Sequence, residues 1–298
     1  MAEDRAVPLH GERRHAARRQ AADAEAPSGA TEELRAEVDE LRQTVTGLDA
    51  RARTRTRIAL AQGVLIERYR LPDTDAAFAL MRQASQGANI KMHQLASAVA
   101  RVPGPDAGAA AWFPDRVRRE PPSLKELGVE EEHPNQGAVL TAALKRILTV
   151  AGAGMGDVQL AEEDGLRMHR QVGLTDHFAQ YFAFVDQGTA CARAAEAGVQ
   201  VTVGDVSTAE VLDDEAREVI LRAGSRACHS VPLVDQEGTA RGVVSSHHPR
   251  PLVGFTRAQL QALHGVSRRA GQWLSWHEDT VVLDALEDLH RQARTTTR

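Results

Sequence analysis

The sequence predicts a multidomain chain: an N-terminal coiled-coil helix and an all-α three-helix unit, then an α/β domain built on an antiparallel sheet. Three observations carry that expectation. Leu34, Val38, Leu41, Val45, Leu48 and Ala52 recur at alternating steps of 4 and 3 residues, the heptad spacing of a coiled coil. Residues 57–102 contain three short apolar stripes at helical spacing, interrupted at Pro72 and Gly87. From 135 to 276, strand and helix patterns alternate around turns rich in Gly and Asp. Between these parts, residues 103–134 hold six of the twelve prolines, a linker composition.

Residues 1–30 set five arginines against five acids with almost no large apolar residue, which predicts a disordered tail. In the coiled-coil segment 31–56, Val at a and Leu at d favour a two-stranded parallel assembly. Leu34, Val38, Leu41, Val45 and Leu48 are therefore expected to form a homodimer, with Glu37 reaching Arg42 of the partner. Packing of this helix within one chain is the alternative.

In residues 57–102, the stripes are Ile58, Ala61, Leu65 and Tyr69; Ala77, Phe78, Met81, Ala84 and Ser85; and Met92, Leu95, Ala96 and Val99. Pro72 with Asp73 or Thr74 begins the second helix, Gly87 ends it, and Asn89 is expected to cap the third. Gly63 in a helix interior costs about 1 kcal/mol against Ala, which predicts a close helix crossing there. From Arg51 to Arg101 the chain carries nine basic and three acidic residues, +6 within a chain of net −5, so a polyanion is the expected partner. Arg51, Arg53, Arg55 and Arg57 alternate by two along a helix and cannot all pack inward. Arg55, Arg57 and Arg68 are candidates for phosphate contact, with solvated helix charge as the plain alternative. Only Tyr69 and Phe78 supply aromatic rings here, so stacking of bases is not the expected mode. A basic module could also dock on the acidic remainder of the same chain with no nucleic acid involved.

The set Ala61-x-Gly63-x-Leu65-x-x-Arg68, Asp75-Ala76-x-Phe78-x-x-x-Arg82-x-x-Ser85 and Asn89-x-Lys91-x-x-x-x-Ala96 resembles an ANTAR domain, the RNA-binding module of bacterial transcription antitermination regulators. The resemblance implies hairpin leader RNA as partner, binding that favours an antiterminator over a terminator stem, and Arg82, Ser85, Asn89 and Lys91 as contacts at matching polar positions.

Further on, a helix through Leu140, Leu144, Ile147 and Leu148 precedes strands at Asp157–Ala161 and Leu166–Gln171. Helices are expected at Thr175–Val185 and Thr189–Glu196, a strand at Gln200–Val203, a helix at Asp213–Ala223, a hairpin of Ala227–Val234 with Arg241–Ser246, and a closing helix from Thr256. With Gly154-x-Gly156-Asp157-Val158-Gln159-Leu160, Val201-x-Val203-x-Asp205-Val206 and Ser230-Val231-Pro232-Leu233 in that order, residues 135–276 resemble a GAF domain, related in fold to PAS. This implies a sensory module for a small ligand or redox signal of unknown identity; the pattern of cyclic-nucleotide GAF domains is missing. Tyr181, Phe182, Phe184, Cys191 and Cys228 are the candidate ligand pocket, with core packing as the competing role.

No metal is expected, because His169, His177, His229, His247 and His248 lack ligand spacing, and adjacent His247 and His248 on a strand face opposite ways. Two widely separated cysteines fit a reducing compartment. Without an apolar run of membrane-spanning length or an opening signal peptide, a cytoplasmic location is expected. The absence of a nucleophile elbow, P-loop or catalytic carboxylate pair predicts no enzyme. Trp112 and Phe113 are expected to dock on a neighbouring domain, and Ser123-x-x-Glu126 to start a short helix. In the last stretch, including 277–298, Trp273, Trp276, Val282, Leu286 and Leu289 suggest a second dimer contact or docking on the coiled coil.

Overall fold

The computed structural model describes residues 52–130 and 134–296. The tail 1–30 and the heptad residues Leu34, Val38, Leu41, Val45 and Leu48, with Glu37 and Arg42, lie outside the described residues. The first helix, α1 (residues 52–69), is followed by α2 (Thr74–Gly87) and α3 (Met92–Arg101). Their inner stripes are Ala61, Leu65 and Tyr69; Ala77, Leu80, Met81 and Ala84; and Leu95, Ala96, Ala98 and Val99, all buried. The Asp73 carboxylate caps α2 by accepting from the Ala76 N–H at 2.8 Å.

Three details differ from the pattern expected. Phe78 exposes 40% of its surface and Leu80 is buried instead, because the steps 77, 80, 81, 84 centre the stripe one side of Phe78. Gly63 is exposed with open space where a Cβ would stand, so no helix of the described residues crosses there. The residue capping α3 is Lys91, whose N–H donates to the Gln94 side-chain oxygen at 3.2 Å, while Asn89 adopts φ 51° in the preceding turn.

The α/β part comprises α4 (Gln136–Ala151), β1 (Met155–Glu162), β2 (Gly165–Val172), α5 (Asp176–Tyr181), β3 (Phe184–Val185), α6 (Ala190–Ala197), β4 (Val201–Val203), α7 (Asp214–Arg222), β5 (Ala227–Val234), β6 (Ala240–His248) and α8 (Arg257–His277). All sheet pairings are antiparallel, in the order β3-β2-β1-β6-β5-β4. Side chains alternate between two faces. Val158, Val231, Leu233 and Val244 meet α4 and α8, along with Trp273 and the short turn of 3-10 helix at Lys125–Leu127. Phe178, Phe182, Cys191, Cys228 and Val243 form the core on the other face with α5, α6 and α7. Helix α8 lies so close to β5 that a Cβ at Gly271 would overlap the Val234 backbone. The helix expected over Thr175–Val185 stops at Tyr181; Phe184 and Val185 instead pair with Arg167 and Leu166 and cover the outer edge of β2.

Beyond α8 the chain continues through a π-helical turn, Glu278–Val282, into α9 (Leu283–Thr296). Val282, Ala285, Leu286, Leu289 and Ala293 of this last segment join the core of α1, α2 and α3. The terminal apolar residues thus complete the helical unit from the far end of the chain, while Trp273 stays in the α/β core; docking on the heptad segment concerns residues outside those described. The Pro-rich segment is likewise packed. Trp112 is buried in the helical core, its indole N–H donates to the Pro103 carbonyl at 2.8 Å, and the Glu287 carboxylate accepts from the N–H groups of Trp112 and Phe113 at 2.9 and 3.0 Å. Replacing Leu289 by Ala should therefore cost about 2–5 kcal/mol, read as a lower midpoint of denaturant unfolding of the full chain; an unchanged midpoint would mean that α9 is dispensable to the helical core.

Candidate functional site

The helical unit leaves one set of polar groups in solvent and commits another to the α/β part. Arg55, Arg82, Asn89 and Lys91 are exposed. Among the described residues, none of the cations Arg55, Arg82 and Lys91 has an ion-pair partner. The positive φ of Asn89 turns the chain sharply between α2 and α3. Ser85 fixes that turn from inside: it is buried and its hydroxyl donates to the Ile90 carbonyl at 2.7 Å. It is a structural residue, out of reach of a partner on the surface.

Arg57 and Arg68 are also drawn inward. The Arg68 guanidinium stacks over the Trp112 ring at 4.7 Å. The Arg57 guanidinium bridges Glu162 and Asp164 in the β1–β2 turn, at 2.5 Å to Asp164, and Arg53 reaches Asp164 at 2.5 Å. Arg167 approaches the other oxygen of Glu162 at 2.7 Å. Burial works against charge on both Arg57 and Glu162. Their mutual hydrogen bonding and attraction outweigh it, so the guanidinium is held above its ordinary pKa and the carboxyl below, with Arg167 adding to the latter. The basic entry of α1 is thus bound to the acidic turn of the sheet. Sequence reasoning weighed such docking in general terms but gave Arg57 to nucleic acid; the run Glu162-Glu163-Asp164 was the available signal for its partner.

The five residues expected to line a pocket divide between the two sheet faces. Tyr181, Phe182, Cys191 and Cys228 gather on the α5–α7 side, with the Tyr181 and Phe182 rings 4.8 Å apart. Phe184 points the other way, as its alternation with buried Val185 requires, and its ring lies 4.4 Å from the Arg53 guanidinium. Burial pushes both thiols up to about 12, so both cysteines are protonated at neutral pH. A polar cluster accompanies them: His247 contacts Asp157 at 3.2 Å and Ser225 at 2.9 Å, and packs edge-on to Phe178. His248 lies beside Phe255 instead. No group of three or more His, Cys, Asp or Glu side chains among the described residues is arranged to hold a metal. No helix among them is long and apolar enough to cross a membrane.

Three histidines report on the packing around these contacts. Burial drives His93, His229 and His277 from 6.5 down to about 4. Their folded pKa lies below the unfolded value, so the unfolded chain takes up protons first as pH falls. The stability they contribute is complete above about pH 6.5 and lost progressively toward pH 4. Stability measured by denaturant unfolding should fall between pH 7.5 and 5 by about 2 kcal/mol for each such histidine. His93→Gln should remove its own share of that dependence, about 2 kcal/mol, and an equal pH slope in the variant would contradict the assignment.

Residues 46–99 match the family model of the ANTAR domain, and residues 136–274 match that of the GAF domain. No curated protein matches the chain. Among solved structures it is similar to the GAF domain/HD domain protein of Geobacter sulfurreducens, at 14% identity over 47% of this chain and 92% of that one, with a TM-score of 0.41. It is also similar to the GAF domain of an Acinetobacter phosphoenolpyruvate-protein phosphotransferase, at 11% identity over 52% of this chain and 89% of the other, with a TM-score of 0.41.

Proposed function

The chain carries an ANTAR domain followed by a GAF domain, and from that premise we propose that it is a signal-responsive RNA-binding regulator of transcription antitermination, a cytoplasmic regulator rather than an enzyme. The single observation that carries this reading is the exposed group Arg82, Asn89 and Lys91 around the α2–α3 turn. Asn89 and Lys91 shape the α2–α3 turn and the start of α3, yet the side chains of all three reach solvent, and two of them bring positive charge to a chain that is acidic overall. They suit contact with the phosphates and loop bases of a hairpin leader RNA. Ser85 and Arg68 act behind that surface by holding its shape. Homodimerisation through the heptad residues Leu34 to Leu48 would set two such surfaces side by side.

The docking of Arg53 and Arg57 on Glu162 and Asp164 supports control by the GAF domain. Two cations that would otherwise extend the RNA surface are neutralised by it, and a signal that loosened the contact would release them. The same contact favours a second reading, in which the basic helix serves docking alone and the chain is a sensory or scaffold protein that binds no RNA.

Binding of the full-length protein to a pool of paired-hairpin leader RNAs separates the two. Under the first reading the protein binds selectively, and Arg82→Ala with Lys91→Ala weakens binding about tenfold at moderate salt and lowers the salt slope by about 2. Glu162→Gln with Asp164→Asn should strengthen binding by freeing Arg53 and Arg57. RNA binding that the Arg82 and Lys91 changes leave intact would refute the assigned surface. Failure of the wild-type and Glu162/Asp164 variants to bind any RNA would favour the docking role.

A further inference from the structure

Helix α3 does not close completely on the sheet beside it. A cleft of about 400 Å³ remains between α1 and α3 on one side and β1, β2 and the long C-terminal helix on the other, within the range of small-molecule sites. Its apolar lining comes from Leu160, Met168, Leu274 and Val282, which belong to β1, β2, α8 and the π turn. Gln94, Ser97 and Gln136 add neutral hydrogen-bonding groups.

The charges around the cleft are unequally used. Arg57 and Arg167 share Glu162, and Arg241 is held by Asp235 at 2.8 Å and Glu278 at 2.9 Å. Those cations are already answered by protein carboxylates. Lys91 and Arg101 also line the cleft, and neither has an ion-pair partner among the described residues. They bracket α3, so that ten residues of helical rise separate them by about 15 Å. One cation therefore stands near each end of an apolar trough. A second feature coincides with the first: Glu278 and Val282, the two ends of the π turn, both face the cleft. Such turns cost regular helical hydrogen bonding and recur at functional sites.

We propose that this cleft between the ANTAR and GAF parts binds a small organic anion with an apolar body. Its charged group is held by Lys91 or Arg101, and its body lies over Leu160, Met168, Leu274 and Val282. A cationic ligand would meet Lys91 and Arg101, of which only Arg101 acts, beyond ion-pair distance, on Glu278; the lining carboxylate without an ion-pair partner among the described residues, Glu163, is exposed, and a neutral ligand would leave the two cations unused. Nucleic acid is too large for the space. The walls come from both domains and from the helix that joins them, so the ligand binds the docked arrangement more tightly than a separated one and stabilises it by mass action. The site stands on this geometry alone and does not depend on RNA binding.

The probe that matches this chemistry is 8-anilinonaphthalene-1-sulfonate, with N-phenyl-1-naphthylamine as its uncharged counterpart of nearly the same body. Each would be titrated into the full-length protein by fluorescence, alongside Lys91→Ala, Arg101→Ala and the cleft-filling Ser97→Trp. Saturable binding of the sulfonate at one site is expected, with a raised melting temperature. One or both alanine variants should weaken it about tenfold, the sensitive one marking the end that holds the anion. Ser97→Trp should abolish it while far-UV circular dichroism stays unchanged. If Ser97→Trp does not fold, the two alanine variants at exposed positions decide. No saturable binding, affinity equal in the wild type and both alanine variants, or equal affinity for the uncharged counterpart would overturn the proposal.

Discussion

The packing of Leu286 and Leu289 against α1, α2 and α3 is the contact on which the remaining organisation depends. Three helices this short, joined by tight turns, enclose little volume and gain most of their stability from whatever covers their apolar faces. Here the cover arrives from the end of the chain. The helical unit is consequently not a bead tied on by a linker. The path from Gln136 through the sheet and back along α8 must close before the helical core is complete. The Pro-rich stretch follows from the same constraint: it spans between two packed units, and Trp112 with Phe113 is pinned to α9 by Glu287.

This closure gives electrostatics a geometry in which to act. The Arg57–Glu162–Arg167 arrangement is partly buried, where an ion pair is screened less than one in open solvent and an unmatched charge is costly. Such a contact adds little net stability over apolar packing, yet it strongly disfavours a state that removes only one partner. It therefore suits setting one alignment of α1 on the sheet better than it suits holding the fold together. Arg55 and Arg57 differ by two positions and have the same chemistry, yet one is in solvent and the other is bound to carboxylates.

That difference marks how much could be read from the sequence. Periodicity located the helices and most strands to within a few residues, because each is written in consecutive positions: Asp73 before α2, Thr256 before α8, and the valines of β5 and β6. It also marked Leu286 and Leu289 as apolar contacts, but a stripe records that something covers it and not what. The partner lies about two hundred residues away in the chain. The same limit applies to the candidate site. Arg82, Asn89 and Lys91 proved exposed, whereas Ser85, an ordinary polar residue in sequence, is spent on the Ile90 carbonyl. Phe184 looked continuous with Tyr181 and Phe182 until a two-residue strand reversed its direction, a change too short for any periodic signal.

The π turn at Glu278–Val282 shows where these constraints meet. A continuous α-helix from Arg257 to Thr296 would carry a fixed angular relation between the face that fits the sheet and the face that fits α2 and α3, advancing about 100° per residue. The wider turn changes that phase between Trp273, which joins the α/β core, and Leu286, which joins the helical one. The Arg116 guanidinium donates to two carbonyls of this turn, Asp279 and Thr280, at 3.2 Å each. Glu278 at its start is buried enough to raise its pKa, an effect that Arg241 and Arg101 only partly offset. The segment that couples the two units thus combines a helical irregularity, an arginine donating to its carbonyls and a carboxyl whose burial raises its pKa. All three meet on the covalent stretch that leads from the sheet into the helical core, two parts that the Arg57–Glu162 contact joins a second time from the side of α1.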